Sequence, residues 1–352
     1  MSLHHAHRFN SDNYSGIHPQ VAAAIADANA GHAAGYGDDP WTRHLEAVVA
    51  DHFGAAAAAF PVLTGTGANV VALGAILPRW GSVVTAASSH LNVDENAAPE
   101  RLLGVKLLTV PTPDGKLRPA DLDVYAGDRG DPHRAQPLAI SIAQPTELGT
   151  AYSLGELREL CSRAHELGMA VHMDGARLAN AAVALGASLR QMTTDAGVDV
   201  LSLGATKNGG MVGECVVILH ADAGRGTEFV RKYTGQLASK MRFVSAQLVA
   251  LFGTELWRSN AANANARAAQ LRRGIERVID AHPDAGIRLT QRSDTNAVFV
   301  VLPARIREPL RARFGFYDWD ARGGEVRLMC SFDTSEQIVD EFTAALAAAA
   351  GD

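Results

Sequence analysis

Lys207 stands in VDVLSLGATKNGG, residues 198 to 210, where an apolar run that reads as a buried strand passes straight into a loop, between Thr206 and a glycine pair. Of 32 basic residues only Lys106, Lys116, Lys207, Lys232 and Lys240 are lysines, so one at the carboxyl end of a core strand calls for a specific reason. Its amine can form a Schiff base with a carbonyl compound, or it can be an ordinary surface group. A second segment, AVHMDGARL at residues 170 to 178, puts Asp174 at the end of another apolar strand and Arg177 three residues later. A carboxylate there needs a cationic partner if it is buried, unless it caps the helix that follows.

Two further segments add to the amine and the acid. In LTGTGANVVALGAIL, glycines and threonines precede an amphipathic helix, so that backbone N–H groups and hydroxyls converge on its positive end. That arrangement suits a phosphate, although a tight turn uses the same residues. No lysine follows the second glycine as in GxxxxGKS, and the third glycine of GxGxxG is missing, which disfavours nucleotide binding. In SSHLNVDENAAPE, His90 lies just beyond the run SVVTA, with Asp94 and Glu95 expected to begin a helix. Its imidazole can stack on a flat ring and exchange protons, or act as a structural hydrogen bonder. Pyridoxal 5'-phosphate would use all four features: Lys207 for its aldehyde, Asp174 to keep its pyridine nitrogen protonated, a helix start for its phosphate and His90 beside its ring.

These residues must be carried by elements that bring strand ends to one edge. After the helical pattern LEAVVADHF come the β-rich runs SVVTA, VKLLTV, PLAISIA, AVHMD, VDVLSLG and CVVILH, alternating with helical stretches such as SLGELRELCSRAHELG. The alternation predicts an α/β fold, a mostly parallel sheet flanked by helices. Leu157, Leu160, Ala164 and Leu167 mark the buried face of one crossover helix, and Gly168 marks its end. The 33 residues from Asp174 to Lys207 leave room for one further crossover, so both can face one ligand. Beyond Phe252 a long helical stretch, Trp257 to Ala281, precedes the strand candidates AVFVVLP and EVRLMCSF and a helix from Ser335. We expect a large domain at residues 1–252 and a smaller α+β domain at 253–352. The alanine runs at 55 to 59 and 347 to 350 read as packed helix or loop.

A formal charge of -6 provides no basic stripe for nucleic acid, and no run reaches the length of a membrane span. Cys161, Cys215 and Cys330 are odd in number and far apart, as expected of reduced cysteines in a cytoplasmic protein. The start of the chain lacks the apolar stretch of a secretory signal. His4, His5 and His7 form a trio without a partnering carboxylate, and no metal is assigned. A small-molecule substrate is the expected partner.

Taken in order, FNSDNYSG, YGDDP, GTGAN, SSHLNVDE, MDGARLAN, GATKNG and EVRLMCSF resemble the low-specificity L-threonine aldolases, in the aromatic amino acid lyase-like branch of the aspartate aminotransferase fold, over about residues 9 to 332. The resemblance implies a fold type I, PLP-dependent enzyme, a carbon–carbon lyase that cleaves L-threonine or L-allo-threonine to glycine and an aldehyde. It implies Lys207 as the Schiff-base lysine, Asp174 as the partner of the pyridine nitrogen, and Arg177 as a donor to the cofactor's phenolic oxygen and the substrate carboxylate. Gly65 and Thr66 resemble the phosphate-binding pair, His90 the stacking base, and Ser11 and Arg327 further ligands of the substrate carboxylate. Tyr36, Lys232 and Arg242 resemble residues contributed by a neighbouring subunit, implying a homodimer or homotetramer with shared active sites; a solvated basic helix face is the other reading of residues 231 to 242.

Two departures are evident. Many members carry Glu-Asn-Thr-His where this chain reads Gln144-Pro145-Thr146-Glu147, so a second active-site histidine is absent, and TGQLASKM is longer than the usual glycine run. Both bear on substrate range. A β-eliminating lyase or an aminotransferase would use the same lysine and aspartate, and a nucleotide-binding scaffold on a doubly wound sheet is the alternative outside catalysis.

Overall fold

The computed structural model describes residues 8–220 and 223–351; His4, His5 and His7 lie outside the described residues. Its larger sheet has seven strands: β1 (Ala58–Val62), β2 (Gly81–Ala86), β3 (Lys106–Val110), β4 (Gln136–Ala143), β5 (Ala170–Gly175), β6 (Val200–Gly204) and β7 (Glu214–Ile218). They lie in the order β1-β7-β6-β5-β4-β2-β3. β7 runs antiparallel to both of its neighbours, and the other pairings are parallel. β2, β6 and β7 are buried along their whole lengths, which accounts for their reading as unbroken apolar runs rather than alternating ones.

The crossover helix Leu154–Glu166 shows how the sequence fixes these elements. A capping box at Ser153 and Glu156 starts it, Leu157, Leu160 and Ala164 are fully buried, and Gly168 follows its end at φ 69°. The alanine run at 55 to 59 differs from its expectation. Ala58 and Ala59 begin strand β1, because pairing with Val217 and Ile218 of β7 outweighs the preference of alanine for helix.

The second sheet is antiparallel, in the order β10-β11-β9-β8, from β8 (Arg288–Leu289), β9 (Ala297–Val301), β10 (Tyr317–Asp320) and β11 (Glu325–Met329). β9 and β11 are the runs anticipated from sequence; the exposed β10 carries no apolar pattern to reveal it. The helix Leu256–Ala281 joins the two cores: Leu256, Trp257 and Ala261 pack in the first, and Ala268, Leu271, Ile275 and Val278 in the second. The division expected at 252 to 253 falls just before this helix. Phe9 also crosses over, packing on Phe314 and Phe342 of the second core, so the segment that follows is anchored between the two. All three cysteines are buried and free. Among the described residues no helix is long and apolar enough to cross a membrane.

What this topology does for the site is set by direction. Chain connections run outward from β2 to β3 on one side and from β4 to β5 and β6 on the other, so the loops after β2 and β4 diverge and open a crevice at their carboxyl ends.

Candidate active site

A cavity occupies that crevice, and four of its walls come from four successive strand ends. His90 follows β2, Glu147 follows β4, Asp174 and Arg177 end and follow β5, and Lys207 follows β6; Gly65, Ala68 and Asn69 close it from the start of the helix Gly65–Ile76. The register that aligns Ala143 with Asp174 and Asp174 with Ser202 brings these ends level. Gly204 is essential to the spacing. A Cβ there would lie 2.5 Å from the backbone of Ala176, so only glycine lets the loop bearing Arg177 approach the loop bearing Lys207.

Lys207 sits half-buried in the one-turn helix Thr206–Asn208. Burial holds its amine below the usual lysine range, helped by the positive Arg177, against the opposing pull of Asp12, Asp174 and Glu214. Asp174 shows the reverse balance. Burial alone would raise its pKa, but Lys207, the Ala176 amide at 2.9 Å from Oδ1 and the Asn69 side chain at 3.0 Å from Oδ2 hold it below the usual carboxylate range. The carboxylate is thus kept ionised at the cavity floor. Beneath it His172 is locked between Ser141 and Ser202, and burial depresses its pKa to about 4, so this imidazole is neutral.

Asn69 also donates to Glu95 at 2.9 Å, and Glu95 Oε1 lies 3.0 Å from His90 Nδ1. That hydrogen bond, more than the opposing burial, raises the pKa of His90. Asp94 and Glu95 do not begin a helix as expected: they lie between the helices His90–Val93 and Ala98–Leu103, and left-handed backbone at Asn96 (φ 48°) and Ala97 (φ 58°) turns the chain beside the buried Glu95.

Arg177 is held by a residue to which the sequence assigned no role. Its Nε and Nη2 donate to the two oxygens of Asp12 at 2.6 and 2.7 Å, while Asn296 donates to the same carboxylate at 3.0 Å. The bidentate pair fixes the guanidinium plane and leaves its Nη1 donors uncommitted by that pair. Ser11 precedes Asp12 as the cap of a short turn, accepting from the Asn13 amide. Arg327, on β11, lies over the Trp319 ring, and its buried Nε has no hydrogen-bond partner among the described residues. Burial and the like charge of Arg177 both depress its pKa, so the two guanidiniums attract a further anion.

At the helix start, Thr64 accepts from the Gly67 amide at 3.0 Å, and Gly65, the first residue of the helix, lines the cavity. Gly65, His90, Asp174, Arg177 and Lys207 therefore come together. Thr66 lies next to Gly65, while Ser11, Tyr36, Lys232, Arg242 and Arg327 do not line the cavity wall. Tyr36 and Lys232 instead stack on one another at 4.8 Å, and Arg242 lies over Trp41 and Phe243.

Sequence reasoning passed over Asp12, Asn69, Glu95, Glu147 and Glu214. Glu214, at the start of β7, accepts from the Ala205 amide at 2.6 Å and underlies the Lys207 turn; burial pushes its carboxyl up to about 7. An acidic residue opening a strand buried throughout was the available signal.

A half-buried lysine, an ionised aspartate and two arginines meet at the crevice of a mixed sheet of the fold type I class, and comparison with known proteins narrows the class to the lyases. The β-eliminating lyase family matches residues 8–304. The low specificity L-threonine aldolase of Pseudomonas aeruginosa is 40% identical over 96% of each chain, and that of Saccharomyces cerevisiae is 28% identical over 86% of this chain and 76% of its own. A solved structure of Leishmania major threonine aldolase superposes with a TM-score of 0.89 at 29% identity, covering 97% of this chain and 98% of its own. The chain belongs to the threonine aldolases of the β-eliminating lyase family, enzymes that are carbon–carbon lyases.

Proposed function

We propose that this chain binds pyridoxal 5'-phosphate at the cavity and uses it to cleave L-threonine and L-allo-threonine to glycine and acetaldehyde. The observation that carries the reading is the meeting in one cavity of Lys207, whose amine is held below its usual pKa, and Asp174, a carboxylate held ionised. When bound, the cofactor supplies an electron sink conjugated to the substrate Cα.

The residues present fit that group. Lys207 would hold its aldehyde carbon, Asp174 its pyridine nitrogen, and the first-turn amides of Gly65 and Thr66 its phosphate. The unpaired Arg327 Nε is the kind of orphaned donor that a substrate carboxylate would satisfy, and Arg177, already oriented by Asp12, reaches toward the same charge. Holding the carboxylate fixes which bond at Cα is presented for cleavage. Ser11 would add a hydroxyl beside Asp12, and His90 would cover the ring face while Glu95 holds its Nδ1. Lys232, Arg242 and Tyr36 would serve the cavity of a second copy in a homodimer or homotetramer.

The purified protein is expected to be yellow, and borohydride should fix the label to the Lys207 peptide. L-threonine should release acetaldehyde, which an alcohol dehydrogenase assay detects, whereas D-threonine should not. Label on Lys232 or Lys240 would overturn the site; pyruvate from L-serine or transfer of the amino group without acetaldehyde would move the chain to a β-elimination or transamination reading.

A further inference from the structure

Glu147 stands where the chain departs from the Glu-Asn-Thr-His stretch of its family, and the mechanism above leaves it unused. It follows β4 across the crevice from His90 and lines the cavity with Lys207 and Asp174. Its Oε1 accepts from the His90 backbone amide at 2.7 Å, which fixes the carboxyl group in place. The other acids around the cavity are committed. Asp174 serves Asn69 and Ala176, Glu95 serves Asn69 and His90, Asp12 serves Arg177, and Glu214 serves the Ala205 amide. Among the described residues no cationic side chain lies within ion-pair distance of Glu147.

We propose that the Glu147 carboxylate takes the proton of the substrate β-hydroxyl as the Cα–Cβ bond breaks, a role that rests on the proposed aldol cleavage. The O–H bonding pair becomes the second bond of the aldehyde carbonyl, and the Cα–Cβ pair stays with the glycine fragment. One proton lost from oxygen and one later gained at Cα leave glycine and acetaldehyde equal in atoms and charge to threonine.

His90 is less suited to this step, since its bond to Glu95 favours the protonated ring, which is a donor. Burial raises the Glu147 carboxyl to about 7; the His90 amide and the charge of the His90 ring oppose this, and the negative Asp174 adds to it. Arg177 and Tyr152 also face it electrostatically. An acid of that strength takes and returns a proton near neutral pH.

The test compares Glu147→Gln, Glu147→Asp and wild-type holoenzyme. In Glu147→Gln, threonine cleavage should fall by on the order of 10²- to 10⁴-fold in kcat. The visible cofactor band and the exchange of the glycine α-proton with deuterium, followed by NMR, should persist, because neither involves a β-hydroxyl. Glu147→Asp should recover part of the cleavage. In infrared difference spectra, wild type should show two protonated-carboxyl bands titrating near neutrality, from Glu147 and Glu214; one should be missing from Glu147→Gln and the other from Glu214→Gln. Cleavage by Glu147→Gln within about threefold of wild type, or loss of glycine exchange in parallel with cleavage, would overturn the role. Wild-type protein with neither a cofactor band nor glycine exchange would instead defeat the functional reading beneath it.

Discussion

The crevice at the strand ends and the surface formed by Tyr36, Lys232 and Arg242 treat charge in opposite ways. In the crevice several ions are matched within the chain: Arg177 to Asp12 in bidentate geometry, Asp174 to Asn69 and the Ala176 amide, Glu95 to His90. On the surface, Lys232 and Arg242 lie over aromatic rings and make no recorded ion pair among the described residues. Tyr36 is 56% exposed, with Phe229 and Tyr233 exposed near Lys232 in sequence, and its backbone is left-handed at φ 61°, held by a hydrogen bond from its amide to Ser239. Exposed cation–π contacts are worth about 0.5–1 kcal/mol, no more than the cost of order 1 kcal/mol for such a backbone. The crevice pairs these charges within one chain, whereas the surface cations meet aromatic rings.

Hybrid oligomers give the largest test of that contrast. If the surface serves a neighbour's cavity, mixing inactive Lys207→Ala and Arg242→Ala chains and allowing exchange puts both defects into one site of each hybrid and leaves its other site intact. Activity should rise from background to about a quarter of wild type for random pairing about a two-fold axis. No recovery above the parents, with exchange verified by mass spectrometry, would mean that Arg242 acts within its own chain or only as a solvated surface group.

Why the crevice was so readable while its supports were not follows from how each residue earns its place. Lys207, Asp174 and His90 each follow an apolar strand, and Gly65 opens a helix, so local pattern and expected topology place them together. Asp12 is significant because Arg177, 165 residues later, meets it, and Asn69 because Glu95 and Asp174 converge on it. Such partnerships depend on tertiary approach, which periodicity does not carry. Glu95 and Glu147 were visible as acids near turns, but their burial, and hence their altered chemistry, exists only once the β2 and β4 loops face each other. The strand at 58–62 was missed for a related reason: its partner β7 is about 155 residues away.

Arg327 sharpens the comparison from the crevice side with a smaller effect. Because its Nε is buried and unpaired, it should contribute mainly to substrate binding. Arg327→Ala should raise the KM for threonine by about 10- to 100-fold, consistent with about 1.5–3 kcal/mol for hydrogen bonds to a charged group. The visible cofactor band should be retained. A variant that loses the band while keeping its KM would place Arg327 with the cofactor instead.

The smallest effect concerns the cost of burying an acid beneath the Lys207 turn. The Glu214 carboxyl, raised from 4.5 to about 7, keeps its proton in the folded protein over a range where the unfolded chain has released it. The stabilising contribution of that proton is therefore complete below about pH 4.5 and is lost as pH rises through 7, amounting to at most about 3 kcal/mol. Glu214→Gln removes the titration and retains an oxygen to accept from the Ala205 amide, so its stability relative to wild type should improve by up to about 3 kcal/mol between about pH 5 and pH 8 in urea unfolding of the cofactor-free protein. His172 acts in the opposite direction, since its pKa of about 4 makes folding lose stability as pH falls below 6.5. Both proteins carry that histidine, and its contribution cancels in their difference. If Glu214→Gln and wild type differ by the same amount at both pH values, Glu214 titrates as an ordinary acid, and the contrast between a crevice that stores unfavourable charge and a surface that does not would lose one of its supports.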